Sequence, residues 1–154
     1  MADNNRELTL IRIFDASRET VFKYWTNSEL LAKWWGPKGF TNPISELDPR
    51  PGGAINIVME DSEGLIKKGS RYPMKGVFQD VKEPEKIVYT AEALMGDKPI
   101  IEQIATVIFE EVSGKTKMTL HVVVTKATSE AEMPLKGMET GWSQSLDKLG
   151  EFLA

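Results

Sequence analysis

The feature that most constrains the fold of this chain is a change in hydrophobic period near residue 130. Before it, short runs of residues alternate between apolar and polar, and turn residues separate the runs, which is typical of antiparallel strands. After it, apolar residues recur every three and four positions, which is typical of one face of a helix. A sheet and a helix that each have an apolar face bury those faces against each other. The pattern therefore predicts an antiparallel sheet covered by a C-terminal helix.

Seven segments of the chain are predicted to be strands. In the last of them, Met118, Leu120 and Val122 alternate with Thr119 and His121, so that one face is apolar and the other polar. Tight turns between the later strands predict a meander with the first strand at an edge. A glycine inside the fourth strand, Gly76, indicates either a bulge or a close backbone approach. The predicted strands are residues 7–14, 40–47, 54–60, 70–81, 87–93, 101–110 and 117–126.

Three helices are predicted. Ser17 is a candidate N-cap for a short helix, and a second short helix from Glu29 to Trp34 ends at a Gly-Pro pair. The third runs from Pro134 to Leu153, and at 1.5 Å per residue it is about 30 Å long, enough to cross the whole sheet. The predicted fold class is α+β, with residues 1–154 forming a single domain: a curved antiparallel sheet of about seven strands, two short helices and a long C-terminal helix.

Composition excludes several classes of function. The chain has no cysteine, which excludes disulfides, thiolate nucleophiles and cysteine zinc sites and suits a reducing cytoplasm. Its 19 Lys and Arg against 23 Asp and Glu give a net charge of -4, which predicts no nucleic-acid partner. The N-terminus is polar, and no apolar run approaches the roughly 18 residues of a membrane-spanning helix. We therefore expect neither secretion nor a membrane partner.

Motifs for catalysis and cofactor binding are absent from the sequence. His121 is the single histidine, and its position in the alternating strand predicts that it lies on the outer face of the sheet. The segment Gly141-Trp142-Ser143 does not match a nucleophile elbow, because it lies inside a predicted helix. Neither a phosphate-binding loop nor a metal-binding spacing occurs. The sequence predicts no metal, no cofactor and no catalytic residue.

Six polar residues remain candidates for the lining of an internal cavity, where they could orient the polar end of a ligand. A buried carboxylate facing a tyrosine could also transfer protons. Alternation does not decide which of these side chains point inward, and ordinary surface charge is the favoured interpretation for each. The six are Glu46, Asp48, Arg71, Tyr72, Tyr89 and Glu102.

Five short motifs, taken in order, resemble those of a known family, the Hsp90 ATPase activator homologue (AHSA1-like) family of the Bet v 1-like or START-like (SRPBCC) superfamily. The resemblance extends from about Leu8 to Leu153. It implies a helix-grip fold, which agrees with the order of elements above, and an apolar cavity between the sheet and the C-terminal helix. The motifs are Arg12-Ile13-Phe14-Asp15-Ala16, Val21-Phe22 with Tyr24-Trp25-Thr26, Trp34-Trp35-Gly36-Pro37, Arg50-Pro51-Gly52-Gly53, and Gly141-Trp142 with Leu146-Asp147-Lys148-Leu149.

The expected function is a non-catalytic binding module for a small hydrophobic ligand held between the sheet and the C-terminal helix, in a monomer or a homodimer. Met138 and Trp142 on the helix are both candidate pocket residues and candidate core residues. Trp34 and Trp35 could form a lid, although a place in the core is favoured. One alternative is a cofactor of the chaperone Hsp90 or another protein-interaction domain, and another is a cofactor-independent cyclase or hydrolase-like enzyme. The predicted ligand-binding residues are Trp34, Met74, Tyr89, Met118, Leu120, Met138, Trp142 and Leu146.

Overall fold

A curled seven-stranded antiparallel sheet forms the body of the protein in the computed structural model, which describes residues 6–154. The first five residues, which belong to the polar N-terminus discussed above, lie outside the described residues. The strand order β1-β7-β6-β5-β4-β3-β2 is the predicted meander with the first strand at an edge. The elements are β1 (Glu7–Phe14), α1 (Arg18–Thr26), α2 (Ser28–Ala32), β2 (Phe40–Leu47), β3 (Ala54–Asp61), β4 (Arg71–Lys82), β5 (Lys86–Met95), β6 (Lys98–Val112), β7 (Lys115–Ala127), α3 (Glu132–Lys136) and α4 (Met138–Leu153).

The second and third predicted helices differ from the observed ones. Helix α2 ends at Ala32 rather than Trp34. The single C-terminal helix predicted from Pro134 to Leu153 is wrong: the chain forms a short helix α3, turns at Gly137, and continues as the 16-residue helix α4. Gly137 has a ψ of 1°, outside the helical region, and glycine loses more backbone entropy in a helix than any other residue. At 1.5 Å per residue, α4 spans about 24 Å.

Helix α4 packs over the β1 side of the sheet. Its residues Leu146 and Leu149 are fully buried, together with Met118 of β7. The guanidinium of Arg12 on β1 donates to the carboxylate of Asp147 at 2.6 Å and to the backbone oxygen of Ser143 at 3.3 Å. These contacts fix the helix over one half of the concave face. The other half of that face, formed by β2 to β5, lies beneath α1, α2 and the loop that follows them.

Gly76 allows β4 and β5 to approach closely. A methyl carbon at this position would lie 2.1 Å from the backbone oxygen of Thr90 and 3.2 Å from the Cα of Ala91, its partner on β5. Of the two roles predicted for Gly76, the structure shows the close approach, because the bulge in this pair of strands lies further along, between Phe78 and Asp80. Gly76 thus shapes the β4 and β5 part of the sheet.

Candidate ligand-binding site

A cluster of all four tryptophans covers the concave face where α1, the loop after α2 and α4 meet. Trp25 packs edge-on against Trp34, with 4.8 Å between ring centroids, and stacks on Trp142 at 6.0 Å. Trp35 packs edge-on against Trp142 at 5.1 Å. Trp34 is fully buried, and its indole N–H donates to the backbone oxygen of Tyr24 at 3.0 Å. Aromatic rings in such geometries form a rigid apolar surface.

Local hydrogen bonds hold these tryptophans in place. Asn27 caps α2 by accepting the backbone N–H of Leu30 at 3.0 Å. The side-chain amide of Asn42 on β2 donates to the backbone oxygens of Ala32 at 3.0 Å and Trp35 at 2.8 Å. The loop that carries Trp35 is therefore attached directly to the edge of the sheet.

The same loop is attached to α4 on its other side. The backbone N–H of Lys38 donates to the side-chain oxygen of Gln144 at 3.0 Å. The ammonium of Lys148 donates to the backbone oxygen of Pro37 at 3.4 Å, and partial burial lowers the pKa of Lys148. Helix α4 thus contributes to the site mainly by fixing the loop that contains Trp35.

A small cavity lies between the tryptophans and the inner faces of β2 to β5. Its volume is about 10 Å³, close to the space that one water molecule occupies. The lining is almost entirely apolar, and two of the lining residues, Leu47 and Met74, are only partly buried. Other lining residues are Trp25, Leu31, Trp35, Phe78, Ile87 and Tyr89.

Two polar atoms of the lining residues have no hydrogen-bond partner in the protein. They are the indole nitrogen of Trp25 and the hydroxyl of Tyr89, and these residues are 2% and 3% exposed. Burial raises the pKa of the Tyr89 hydroxyl far above its ordinary value, so the group stays protonated. An unpaired buried polar group costs roughly 1–3 kcal/mol. The site therefore contains two hydrogen-bonding groups that the fold itself leaves unpaired.

Comparison with known proteins identifies the family. The family model described as "Activator of Hsp90 ATPase homolog 1-like protein" matches residues 15–154. The chain belongs to this family. Its structure is similar to that of the AHSA1 protein from Silicibacter pomeroyi, with a TM-score of 0.77, 29% identity, and coverage of 96% of this chain and 97% of that one. No curated protein matches the sequence.

Two further solved structures show the same fold. A protein from Chromobacterium violaceum has a TM-score of 0.81 and 23% identity and covers 96% of each chain. A protein from Nitrosomonas europaea has a TM-score of 0.77 and 25% identity, with 96% of this chain and 93% of that chain covered. Members of the Activator of Hsp90 ATPase homolog 1-like family thus share the curled sheet with short helices and a C-terminal helix.

The motifs by which the sequence resembles this family meet in the structure. Trp25 from the second motif packs against Trp35 from the third, with 6.3 Å between ring centroids, and against Trp142 from the fifth. Arg12 from the first motif pairs with Asp147 from the fifth. The motifs therefore mark the packing of α1, its following loop and α4 on the sheet.

The eight predicted ligand-binding residues fall into two groups. Met74 and Tyr89 line the cavity. The others lie outside its lining: Trp142 packs behind Trp25 and Trp35, and Met138 packs partly buried against the core. Within residues 6–154, no α4 residue lines the cavity. The remaining four are fully buried core residues: Trp34, Met118, Leu120 and Leu146.

Three aromatic lining residues were not among those predicted: Trp25, Trp35 and Phe78. The apolar stripe of α1 indicates that Trp25 points toward the sheet. Alternation along β4 places Phe78 on the same face as Met74. No local pattern indicates that these residues face a common space with Tyr89.

The other polar candidates bond to neighbours away from the cavity, and none of them lines it in the part of the chain that the structure describes. His121 lies on the outer face, 3.1 Å from a carboxylate oxygen of Glu7, as the alternation predicts. Within residues 6–154, no carboxylate lines the cavity. The neighbours are Asn56 for Glu46, Arg50 for Asp48, Glu60 for Arg71, Ser70 for Tyr72 and Lys126 for Glu102.

A buried carboxylate outside the cavity, Asp61, was predicted only as a turn residue. It is fully buried and accepts four backbone N–H groups. Burial raises its pKa, but these four hydrogen bonds lower it, and the net pKa is below its ordinary value. The donors are Gly64 at 2.9 Å, Leu65 at 2.9 Å, Ile66 at 2.6 Å and Lys67 at 2.9 Å.

Other kinds of site were also sought among residues 6–154. No cluster of three or more His, Cys, Asp or Glu residues there could hold a metal ion. No helix in that range is long and apolar enough to cross a bilayer. On the outer face of the sheet there is a wide open depression of about 420 Å³, lined by residues such as Lys75, Glu92 and Glu102. Its charged, open lining offers little apolar contact to a small molecule.

Proposed function

We propose that the protein binds a small hydrophobic molecule in the cavity between α1, α2 and the inner faces of β2 to β5. The observation that carries this proposal is the under-filled space on the concave face, lined almost entirely by aromatic and aliphatic side chains. Small-molecule sites are concave and mostly apolar, with a few polar groups that fix orientation. The lining here has this composition, and Tyr89 and the indole nitrogen of Trp25 are its polar groups.

A ligand larger than one water molecule requires side chains to move. Met74 and Leu47 are the lining residues that are partly exposed, so they mark the side from which a ligand enters. Methionine has three rotatable bonds and adapts to apolar guests of different shapes. The position of Met74 supports entry between β2 and β4, on the half of the sheet that α4 leaves uncovered.

The Met74→Trp variant is expected to block the site, because a larger and more rigid side chain then occupies the entrance. The probe is α-methylstyrene, titrated into ¹⁵N-labelled protein while amide and indole resonances are recorded. We expect wild-type protein to show saturable shifts at Trp25, Trp35 and Tyr89. The variant is expected to bind the probe at least about tenfold more weakly.

The matched control is Met95→Trp, the same substitution at an exposed residue in the β5–β6 hairpin. It is expected to leave the titration unchanged. Shifts that are spread over the surface, or equal affinity in wild type and Met74→Trp, would contradict binding in this cavity.

A second candidate function is contact with a chaperone, because the description of the family names the Hsp90 ATPase. The structural observation in its favour is an exposed apolar tip between β3 and β4. Leu65 is 61% exposed and Ile66 74% exposed, and Asp61 holds both backbones in place. Ordered, exposed apolar residues are suited to a protein interface.

This candidate predicts that the protein changes the ATPase rate of an Hsp90, and that the double variant Leu65→Ser with Ile66→Ser abolishes the change. The measurement is steady-state ATP turnover with increasing amounts of the protein. The control pair is Ile11→Ser and Ile13→Ser on the outer face of β1, which are 55% and 60% exposed. An unchanged rate with wild-type protein would remove this candidate.

A further inference from the structure

We propose that the indole N–H of Trp25 and the hydroxyl of Tyr89 together bind one neutral oxygen atom of the ligand, so that the ligand is a small apolar ketone, aldehyde or ester. This inference rests on the proposed function, since it assigns the chemistry of the molecule that the cavity accepts. Both groups belong to lining residues, both are buried, and neither has a partner in the protein.

The kinds of hydrogen bond that these groups form determine what they recognise. An indole N–H can only donate, so its partner must be an acceptor. The Tyr89 hydroxyl is kept protonated by burial and can donate as well. A carbonyl oxygen has two lone pairs and can accept from both groups at once. Two donors in an apolar cavity therefore suit a carbonyl better than a group that must itself donate.

The charge around the cavity indicates that this oxygen is neutral. No Lys, Arg or His is among the lining residues of the part of the chain that the structure describes. A carboxylate in such surroundings would be desolvated without a compensating positive charge, which is strongly unfavourable. The volume of about 10 Å³ is close to that of a single oxygen-sized group, with the apolar part of the ligand directed toward the flexible Met74 side.

The test compares two probes of nearly the same shape, acetophenone and α-methylstyrene, in which a methylene group replaces the carbonyl oxygen. Each is titrated by NMR into wild-type protein and into Tyr89→Phe, which removes the hydroxyl alone. Acetophenone is expected to bind about 3- to 10-fold more weakly to Tyr89→Phe than to wild type, as the loss of one hydrogen bond predicts. The affinity for α-methylstyrene is expected to stay the same.

A second readout follows the indole N–H of Trp25 directly. Acetophenone should move this resonance downfield, as a new hydrogen bond does, whereas α-methylstyrene should not. The matched control is Tyr72→Phe, because the Tyr72 hydroxyl bonds to Ser70 at 2.9 Å outside the cavity. This control should bind both probes as the wild type does. Tyr89→Phe should fold normally, because the hydroxyl that it removes has no partner in the protein.

The outcomes separate this inference from the proposed function. If both probes bind in the cavity but Tyr89→Phe leaves their relative affinities unchanged, the recognition of a carbonyl is overturned and the hydrophobic site stands. If neither probe binds wild-type protein in the cavity, the proposed function and this inference are both overturned. A selective loss of acetophenone binding together with the Trp25 shift supports the assignment.

Discussion

Replacing Gly76 by alanine is expected to destabilise the protein by on the order of 3 kcal/mol. The added carbon would lie 2.1 Å from the backbone oxygen of Thr90 and 3.2 Å from the Cα of Ala91. Both atoms belong to the backbone of β5, so no side-chain rotation can relieve the clash. The two strands must therefore separate or shift, which weakens the hydrogen bonds between β4 and β5 at the centre of the sheet.

The measurement is the free energy of unfolding from urea denaturation of wild type and Gly76→Ala. The matched control is Gly150→Ala in α4, where the new carbon would lie 3.6 Å from the ring of Phe14, an ordinary contact. Alanine also favours a helix over glycine by up to about 1 kcal/mol, so this control should be neutral or stabilising. A Gly76→Ala variant as stable as the control would contradict the close approach of the strands.

The same substitution also bears on the site. Gly76 lies between Met74 and Phe78 on β4, and both of these residues line the cavity. A shift of β4 relative to β5 would move them away from Tyr89. We therefore expect that any folded fraction of Gly76→Ala binds α-methylstyrene more weakly than wild type does.

Much of the fold could be predicted from sequence because alternation is a local property. Met118 and Leu120 are fully buried and His121 faces outward, as a period of two requires. Tight turns then dictate which strands are neighbours. The break at Gly137 was missed because apolar spacing continues across it, so the period alone does not show where the backbone leaves the helical conformation.

The site was harder to predict because it depends on where the elements lie in three dimensions. The apolar stripe of α4 indicates that the helix covers the sheet, but not which half of the sheet it covers. The contacts of Arg12 with Asp147 and Ser143 place α4 over the β1 side. As a result α1, α2 and the Trp35 loop cover the cavity, and α4 acts on it through Trp142 and the hydrogen bonds to that loop.

Asp61 illustrates a second limit. The run Asp61-Ser62-Glu63-Gly64 has the composition of an exposed turn, and turn residues are usually solvated. The structure instead buries the carboxylate beneath the loop, where it accepts successive backbone N–H groups. Only the path of the chain after Gly64 reveals this role, because the donors lie on residues that show no periodic pattern.

The Asp61→Asn variant is expected to lose the order of this loop. Asparagine keeps one side-chain oxygen but replaces the other by an NH₂ group, which would face backbone N–H donors and could not accept from them. Buried donors that lose a charged acceptor are costly, so the melting temperature should fall by several degrees. Hydrogen exchange at the amides of residues 64–67 should become at least roughly tenfold faster, because these amides lose their partner.

The pH dependence gives an independent check. The pKa of Asp61 is lower in the folded protein than its ordinary value, so its contribution to stability is present above the unfolded pKa, near 4, and is lost as the pH falls through the folded pKa. The melting temperatures of wild type and Asp61→Asn should therefore differ most at neutral pH and converge on acidification. Asp97→Asn, in the exposed β5–β6 turn, is the matched control and should track wild type. If Asp61→Asn also tracks wild type at neutral pH, the carboxylate does not hold the loop, and the apolar tip at Leu65 and Ile66 loses the support that suits it to a partner.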